Sequence, residues 1–158
     1  MNSTSLVHRR WRRRAAVMVA AGALAAGSML SPASAETYTH ASGATVEAPA
    51  TAVVNTTFTI TGTKWTNIAG SAGSVIAVKF DAGAYHHKPG QEVKHPQTGA
   101  TLASDIWDVF VAENDGSFTR TITLPTTANS EGKTPRPVGE TYTVNMLSGS
   151  LGVQDQGR

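Results

Sequence analysis

The chain has 158 residues, and 13 Lys and Arg against 11 Asp and Glu give it a formal net charge of +2. Five of the basic residues are arginines within the first 14 positions, where no Asp or Glu occurs. Without residues 1–35, eight basic residues face 11 acidic ones and the net charge falls to −3. Because a nucleic-acid-binding domain needs a basic face on its folded part, this distribution excludes nucleic acid as the expected partner.

The first 35 residues follow the three-part pattern of a cleaved secretory signal peptide. The basic segment HRRWRRR precedes 16 residues without a charge, and a small-residue triplet, Ala-Ser-Ala, ends at Ala35. The uncharged run is shorter than the stretch of about 20 apolar residues that spans a membrane, so cleavage is favoured over anchoring. We expect a signal peptide at 1–35 and a single domain at 36–158.

Cleavage after Ala35 would give a secreted, extracellular protein without a membrane span. Export by the Sec pathway is expected, and the Arg-Arg pair in the basic segment leaves the twin-arginine (Tat) pathway open. The sequence contains no cysteine, so disulfide bonds cannot stabilise the exported chain and its apolar core has to do so alone. The 123 residues that remain after cleavage are enough for one compact domain.

Apolar and polar residues alternate with a period of two along much of this domain, which is the pattern of half-buried β-strands. No segment repeats apolar residues at helical spacing over three turns. Strands are predicted at 44–54, as an edge strand that Pro49 interrupts, and at 56–63, 74–80, 105–112, 117–125 and 140–147. Short strands separated by turn residues predict an all-β, antiparallel β-sandwich of about seven strands.

Two of these segments, 74–80 and 105–112, are apolar on both faces and are predicted to be central strands. The sequence Asn-Asp-Gly at 114–116 tolerates positive φ angles and follows the second of them directly. Such a turn between alternating runs predicts a hairpin that joins 105–112 to 117–125.

Three side chains in or near the strands need separate interpretation. Arg120 falls among the inward-facing positions of its strand and breaks the pattern there, and the sequence offers no reason for it. A Trp packed between the sheets is typical of sandwiches, so Trp107 is predicted to lie in the core. For Trp65, which follows a strand end, both a core position and an exposed rim position stay open.

Four motifs occur in a fixed order: GTKW at 62–65, VIAVKFDAGA at 75–84, IWDVFVAENDGSFTRTITLP at 106–125, and GETYTVNMLSGSL at 139–151. This order resembles the immunoglobulin-like (Ig-like) modules of secreted and surface proteins from actinobacteria. The resemblance covers residues 44–153 and implies an Ig-like β-sandwich. It further implies a role as a spacer, an adhesion unit or an accessory domain, and it carries no catalytic residue.

The longest segment that lacks a strand pattern is 81–104, and loops of this length are uncommon unless they are functional or mobile. Its imidazoles make His86, His87 and His95 candidate ligands for Zn²⁺, Cu²⁺ or haem iron, with Tyr85 beside them. Adjacent residues of a strand point to opposite faces, so His86 and His87 cannot both turn towards His95 without a bend. A solvated loop with freely titrating histidines therefore stays open as the alternative.

The same segment is predicted to be a recognition loop with one short strand around Val93. Tyr85, Lys88, Glu92 and Lys94 are its candidate contact residues for an extracellular protein or carbohydrate. Long loops carried on a rigid sandwich are common places for binding residues.

Catalytic and calcium-binding patterns are weak in this sequence. It lacks a G-x-S-x-G elbow and a cysteine nucleophile, and its acidic residues near 105–115 do not follow the spacing of a calcium-binding loop. We therefore expect no enzyme and no obligatory cofactor. The predicted function is a secreted, non-catalytic binding or adhesion module. The alternatives are a metal- or haem-binding secreted protein that uses the histidines, and a small secreted hydrolase.

Overall fold

The computed structural model describes residues 15–18, 34–40 and 42–148. All regular structure in this part of the chain is β-strand with antiparallel pairing. It contains no helix that is both long and apolar enough to cross a membrane. Most of the predicted signal peptide lies outside the described residues, so cleavage after Ala35 stays a prediction.

The described part of the chain contains ten strands, more than the seven or so that the sequence predicted. They are β1 (Ala15–Met18), β2 (Ala35–Thr39), β3 (Thr45–Pro49), β4 (Thr57–Thr63), β5 (Val75–Phe80), β6 (Tyr85–His87), β7 (Asp108–Val111), β8 (Phe118–Thr123), β9 (Ser130–Gly132) and β10 (Thr141–Ser148).

Two four-stranded sheets carry the fold. Sheet A has the order β1-β10-β5-β7, sheet B has the order β2-β3-β4-β8, and β6 pairs with β9 in a small third sheet. Buried side chains from both large sheets belong to one apolar cluster, which includes Ile60 and Phe118 of sheet B and Ile76 and Val144 of sheet A. The arrangement is therefore sandwich-like, as the alternating pattern predicted.

The alternation of β4 shows why these residues form strands with one buried face. Phe58 and Ile60 are buried, whereas Thr57 and Thr59 on the opposite face are exposed. β10 repeats this division, because Tyr142 and Val144 lie in the core and Met146 packs against it. The β-branched threonines suit the exposed face of a strand, and the apolar residues opposite them bind the two sheets together.

The prediction that 74–80 is a central strand is confirmed. β5 lies between β10 and β7, and every residue of the strand is buried except the half-buried Lys79. Trp65 and Trp107 are both core residues with about 4% of their surface exposed, which decides the open question for Trp65. Each indole N–H donates to a backbone carbonyl, Trp65 to Thr45 at 2.8 Å and Trp107 to Thr123 at 2.9 Å.

The predicted edge strand at 44–54 is wrong in two respects. The strand ends at Pro49, and 52–54 is not part of it. It is also not an edge strand, because β2 pairs along its outer side in the register Ala35↔Pro49 to Thr39↔Thr45. Proline lacks a backbone N–H, so a strand can end at Pro49 but is not readily continued through it.

The 114–116 turn forms, but the hairpin predicted around it does not. Gly116 N–H donates to Glu113 O and Glu113 N–H donates to Ser117 O, both at 2.8 Å. The strand before the turn is shorter than predicted, and the prediction that it is central is wrong, because β7 lies at the edge of sheet A. β7 pairs with β5 in sheet A, whereas β8 pairs with β4 in sheet B. The turn therefore carries the chain from one sheet to the other.

Gly116→Ala is expected to lower the free energy of unfolding by about 2 to 3 kcal/mol. Gly116 has a φ of +79°, and a Cβ atom there would lie 2.5 Å from the backbone nitrogen of Trp65. Gly90→Ala is the matched control, since Gly90 has a φ of +84° but no atom within 4 Å of its Cβ position. Urea denaturation of both variants gives their free energies of unfolding. The loss in Gly90→Ala measures the cost of a positive φ, and any additional loss in Gly116→Ala measures the cost of the steric clash. Equal losses in the two variants would contradict the steric argument.

Arg120 does occupy an inward-facing position, and the structure supplies the reason. Its guanidinium donates from Nε to Asp108 Oδ2 at 2.6 Å and from Nη2 to Asp108 Oδ1 at 2.7 Å. Asp108 belongs to β7 of sheet A and Arg120 to β8 of sheet B, so the pair bridges the open side of the sandwich. The hydrogen bonds to Asp108 raise the pKa of Arg120, although burial opposes this effect.

Candidate functional site

The candidate recognition segment, 81–104, leaves β5 through a turn with an unusual backbone. Asp81, Ala82 and Gly83 have successive φ angles of 48°, 61° and 89°. Left-handed conformations are costly for residues with a side chain, so surrounding contacts must hold them. Asp81 N–H donates to Thr143 O and Ala82 N–H donates to Asn145 Oδ1, both at 2.8 Å. β10 therefore fixes the direction in which the segment departs.

The segment itself is folded. Tyr85–His87 pairs with Ser130–Gly132, and His87 N–H donates to Ser104 O at 2.8 Å. The strand expected around Val93 is a single bridge between Lys94 and Thr101, next to a hydrogen bond from Leu102 N–H to Val93 O at 3.0 Å. Residues 88–100, which we name the tip, thus project from a base that is held at several points.

His86 and His87 point in different directions, as adjacent strand residues must. His86 Nδ1 lies 3.0 Å from the hydroxyl oxygen of Ser104. The His87 ring stacks on Trp107 with 4.6 Å between centroids and an angle of 11°. His87 Nε2 also lies 3.0 Å from Trp107 O, and because a carbonyl only accepts, Nε2 must carry the proton.

His95 is buried within the tip. Its Nδ1 accepts hydrogen bonds from the backbone N–H groups of Gln97 and Thr98, both at 3.1 Å. The Nδ1 lone pair is therefore used, and a neutral ring carries its proton on Nε2. This arrangement shapes the turn at 96–98 in the same way that an Asx residue shapes a turn.

The structure does not bring the three candidate metal ligands together. The Nδ1 lone pair of His95 is used by two backbone N–H groups, and the protonated Nε2 of His87 leaves only its Nδ1 able to bind a metal ion. Among the residues that the structure describes, no group of three His, Cys, Asp or Glu side chains is placed to hold a metal ion. The metal or haem site stays a prediction, and this geometry gives it no support.

The four candidate contact residues divide into one core residue and three residues of the tip. Tyr85 is completely buried, so its selection as a contact residue is wrong. Lys88 Nζ donates to Thr127 O at 2.8 Å, and Glu92 Oε2 accepts from Gly90 N–H at 2.9 Å. Lys94 is exposed. The tip therefore presents side chains of both charges on a turn that its own hydrogen bonds stabilise.

Tyr85 instead joins an aromatic cluster beneath the segment. Its ring lies 5.4 Å from that of Tyr142, which in turn lies 5.6 Å from Phe80. Burial raises the pKa of Tyr85 to about 12, so the phenol stays protonated. A buried aromatic residue with a protonated hydroxyl is typical of a core that extends under a loop.

Asp81 is the centre of an ion cluster that the sequence analysis did not identify. Its Oδ1 accepts from Thr143 N–H at 2.9 Å, and its Oδ2 accepts from Arg136 Nη2 at 2.6 Å and from Lys133 Nζ at 3.3 Å. Burial alone would raise the pKa of Asp81, but these hydrogen bonds outweigh it and the pKa is lowered. The cluster ties the 125–139 connection to the base of the 81–104 segment.

Tyr142 strengthens the same corner. Its hydroxyl oxygen accepts from Arg136 N–H at 2.8 Å, and the hydroxyl lies 3.3 Å from Pro125 O, to which it donates. Burial raises the pKa of Tyr142. The phenol thus satisfies two backbone groups of the connection that precedes its own strand.

A cavity at this corner is lined by Asp81, Ala82, Arg136, Thr143 and Asn145 and has a volume of about 140 Å³. Pockets for drug-sized ligands measure about 300 to 1,000 Å³, so this one has room for a few water molecules or a small ion only. The negative charge of the Asp81 carboxylate is already balanced by its ion pair with Arg136. The corner is therefore built to hold the fold, and the tip is the better candidate for recognition.

Comparison with known proteins gives this chain no relative. The chain matches no protein-family model, no curated protein and no solved structure. The resemblance to Ig-like modules therefore rests on the residues themselves.

Proposed function

We propose that the chain is exported and acts outside the cell as a non-catalytic binding or adhesion module with an Ig-like fold. The tip would be its recognition surface, and an extracellular protein or carbohydrate would be its partner. Three kinds of observation support this proposal: the strand order, the contacts of Tyr142 and the construction of the tip.

The strand order supports an Ig-like arrangement. In an Ig sandwich, strands A, B and E are neighbours in one sheet, and C and F are neighbours in the other. Here β3, β4 and β8 are neighbours in sheet B, and β5 and β10 are neighbours in sheet A. Along the chain, β3, β4, β5, β8 and β10 follow one another in the order of strands A, B, C, E and F. β7 lies beside β5 at the edge of sheet A, a position that varies among such sandwiches.

The hydroxyl of Tyr142 supports the same arrangement. Ig sandwiches often carry a Tyr near the start of strand F whose hydroxyl binds the backbone a few residues upstream. Tyr142 is the second residue of β10, and its oxygen accepts from Arg136 N–H, six residues upstream. The feature fits the proposed match between β10 and strand F.

The preorganised tip is the observation that carries the binding role. Its turns are closed by hydrogen bonds within the tip, and its base is fixed by β6–β9 pairing and by the stacking of His87 on Trp107. A loop that is already ordered loses less conformational entropy on binding than a flexible one. Charged side chains (Lys88, Glu92, Lys94) and amide side chains (Gln91, Gln97) occur along it, which suits a hydrogen-bonding partner better than an apolar one.

Binding of the exported protein to immobilised polysaccharides and extracellular matrix proteins tests the proposal. For a probe that binds, Lys94→Glu is expected to weaken binding at least about tenfold, because it reverses a charge on the proposed contact surface. Lys64→Glu is the matched control. Lys64 directly follows β4 and precedes the buried Trp65, so it does not belong to the tip.

The control should bind like the unaltered protein. Equal losses in the two variants would show that the tip is not the contact surface. An adhesion role would be contradicted if the protein bound none of the probes and if Lys94→Glu attached to whole cells as well as the unaltered protein does.

A further inference from the structure

The outer edge of β10 is the most unusual surface of the sandwich. On one side β10 pairs with β5 from Val144 to Ser148, and on the other side its residues Thr141–Val144 pair with β1. β1 is Ala15–Met18, which lies inside the predicted signal peptide. Removal of that peptide would therefore remove the strand that covers this edge.

The backbone groups of β10 show what becomes exposed. Thr143 uses both its N–H and its C=O on the β5 side, where each bonds to Asp81. Since these groups alternate between the two sides of an antiparallel strand, those of Tyr142, Val144, Met146 and Ser148 face the outer edge. Without β1, the edge presents a row of N–H and C=O groups along the whole strand.

The composition of β10 lacks the usual protection of an edge. Its sequence TYTVNMLS contains no charge, no proline and no glycine over eight residues. The other outer strands of the two large sheets differ: β7 carries Asp108, β8 carries Arg120, and β2 carries Glu36. Proteins use charges, prolines and short strands to prevent edge pairing, and β10 uses none of them.

We propose that, once β1 has been removed with the signal peptide, β10 pairs antiparallel with β10 of a second copy. The two copies of sheet A then form one continuous sheet across a twofold axis. A second copy is the occupant because β10 is self-complementary: pairing with itself brings no like charges together, and every exported chain supplies it. The inference depends on the predicted cleavage and not on the proposed binding role.

The alternation of the backbone groups limits the register of this pairing. Outward-facing residues must oppose outward-facing residues, so an axis near the middle of the strand lies at Val144 or Asn145, and we place it at Val144, whose outward N–H and C=O then pair with those of Val144 in the second copy. With the axis at Val144, Leu147 of one copy lies opposite Thr141 of the other. Leu147 is 37% exposed and Thr141 is half-buried, so both positions accept a longer polar side chain without disturbing the core.

This geometry gives a pair of matched variants. The double variant Thr141→Lys with Leu147→Lys brings lysines from the two copies face to face, which opposes pairing. The double variant Thr141→Glu with Leu147→Lys changes the same positions but places opposite charges face to face. We expect the first variant to lose the dimer and the second to keep it, because only the sign of the charge differs between them. A general loss of folding would affect both variants alike.

The experiment expresses the full chain in an exporting bacterium and recovers the released protein, whose intact mass shows where it begins. Sedimentation or light scattering is then measured from about 5 to about 200 µM protein. The expected result is a particle of twice the chain mass for the unaltered protein and the Glu/Lys variant. The Lys/Lys variant should have the mass of one chain and an unchanged circular dichroism spectrum.

Three results would overturn the proposal. The first is a released chain of single mass over the whole concentration range, as would arise if residues 149–158 of the same chain covered the edge. The second is a dimer that both double variants leave intact, because its interface would then lie elsewhere. The third is a released chain that retains residues 15–18 and is dimeric nonetheless.

Discussion

Trp107→Ala is expected to lower the free energy of unfolding by about 3 to 5 kcal/mol. The side chain has about 4% of its surface exposed, packs edge to face against Phe80 at 5.6 Å and stacks on His87 at 4.6 Å. Truncation would leave a large cavity, and Thr123 O would lose the indole N–H that now bonds to it at 2.9 Å. Urea denaturation followed by circular dichroism measures the change.

Trp107→Phe separates packing from hydrogen bonding. It keeps an aromatic ring for Phe80 and His87 but removes the indole N–H, so a smaller loss of about 1 to 3 kcal/mol is expected. The stacked ring also shields the His87 protons, whose NMR shifts should move towards solvent-exposed values in Trp107→Ala. A loss below about 1 kcal/mol in the alanine variant would show that the site collapses around the gap.

Asp81→Asn is the second large effect, with an expected loss of about 2 to 3 kcal/mol at pH 7. The Asp81 side chain is only 8% exposed, and it accepts hydrogen bonds from Arg136, Lys133 and the Thr143 N–H. An amide cannot match a carboxylate as the acceptor for two cations, and one amide hydrogen would face them. Thermal or urea denaturation of the variant measures the difference.

The pH dependence of this loss has a definite sign. The pKa of Asp81 is lowered in the folded protein from its ordinary value of 3.8, because the hydrogen bonds outweigh the effect of burial. The carboxylate therefore stabilises the fold fully above about pH 3.8, and this contribution disappears as the pH falls through the folded-state pKa. The stability difference between the two proteins should be constant from pH 7 to 5 and should narrow below pH 4.

Glu47→Gln is the control for this titration. Glu47 is an exposed carboxylate on β3, so its replacement should change neither stability nor its pH dependence measurably. Parallel stability curves for Asp81→Asn and the unaltered protein down to acid pH would contradict the assigned role of Asp81.

The strands that sequence reasoning identified are those with one buried face. Phe58 and Ile60 alternate with threonines, and Tyr142 and Val144 alternate with polar residues. A strand with one buried face needs an apolar residue at every second position, so its sequence shows this alternation. β2 has no such pattern, because its residues are mostly exposed and it is held chiefly by backbone pairing with β3. A strand stabilised by its backbone alone leaves little trace in the order of side chains.

The partnership of strands was harder to predict than their existence. The Asn-Asp-Gly turn at 114–116 has the composition of a hairpin turn, and a hairpin is the most frequent connection of that length. Which strand pairs with which is decided by the core, where Phe110 of β7 and Phe118 of β8 meet from opposite sheets at 5.0 Å. The residues of a turn do not determine which side chains meet between the two sheets.

The sequence located the segment that carries the candidate site, but it did not predict which side chains of that segment are buried or what they contact. The length of 81–104 marked it correctly as a separate feature, and the adjacent histidines were expected to diverge, as they do. The burial of Tyr85 and the stacking of His87 depend on residues from other strands. The contact between Asp81 and Arg136 joins positions 55 residues apart, so it could not be predicted from a local sequence motif.

The position of β2 has a consequence for the timing of maturation. Ala35, the residue before the predicted scissile bond, already belongs to β2 and pairs with Pro49. A signal peptidase reads an extended substrate, and a strand already incorporated into a sheet is withheld from it. If the chain is cleaved after Ala35 as predicted, the cut would have to come before β2 docks, and the sandwich would close only afterwards.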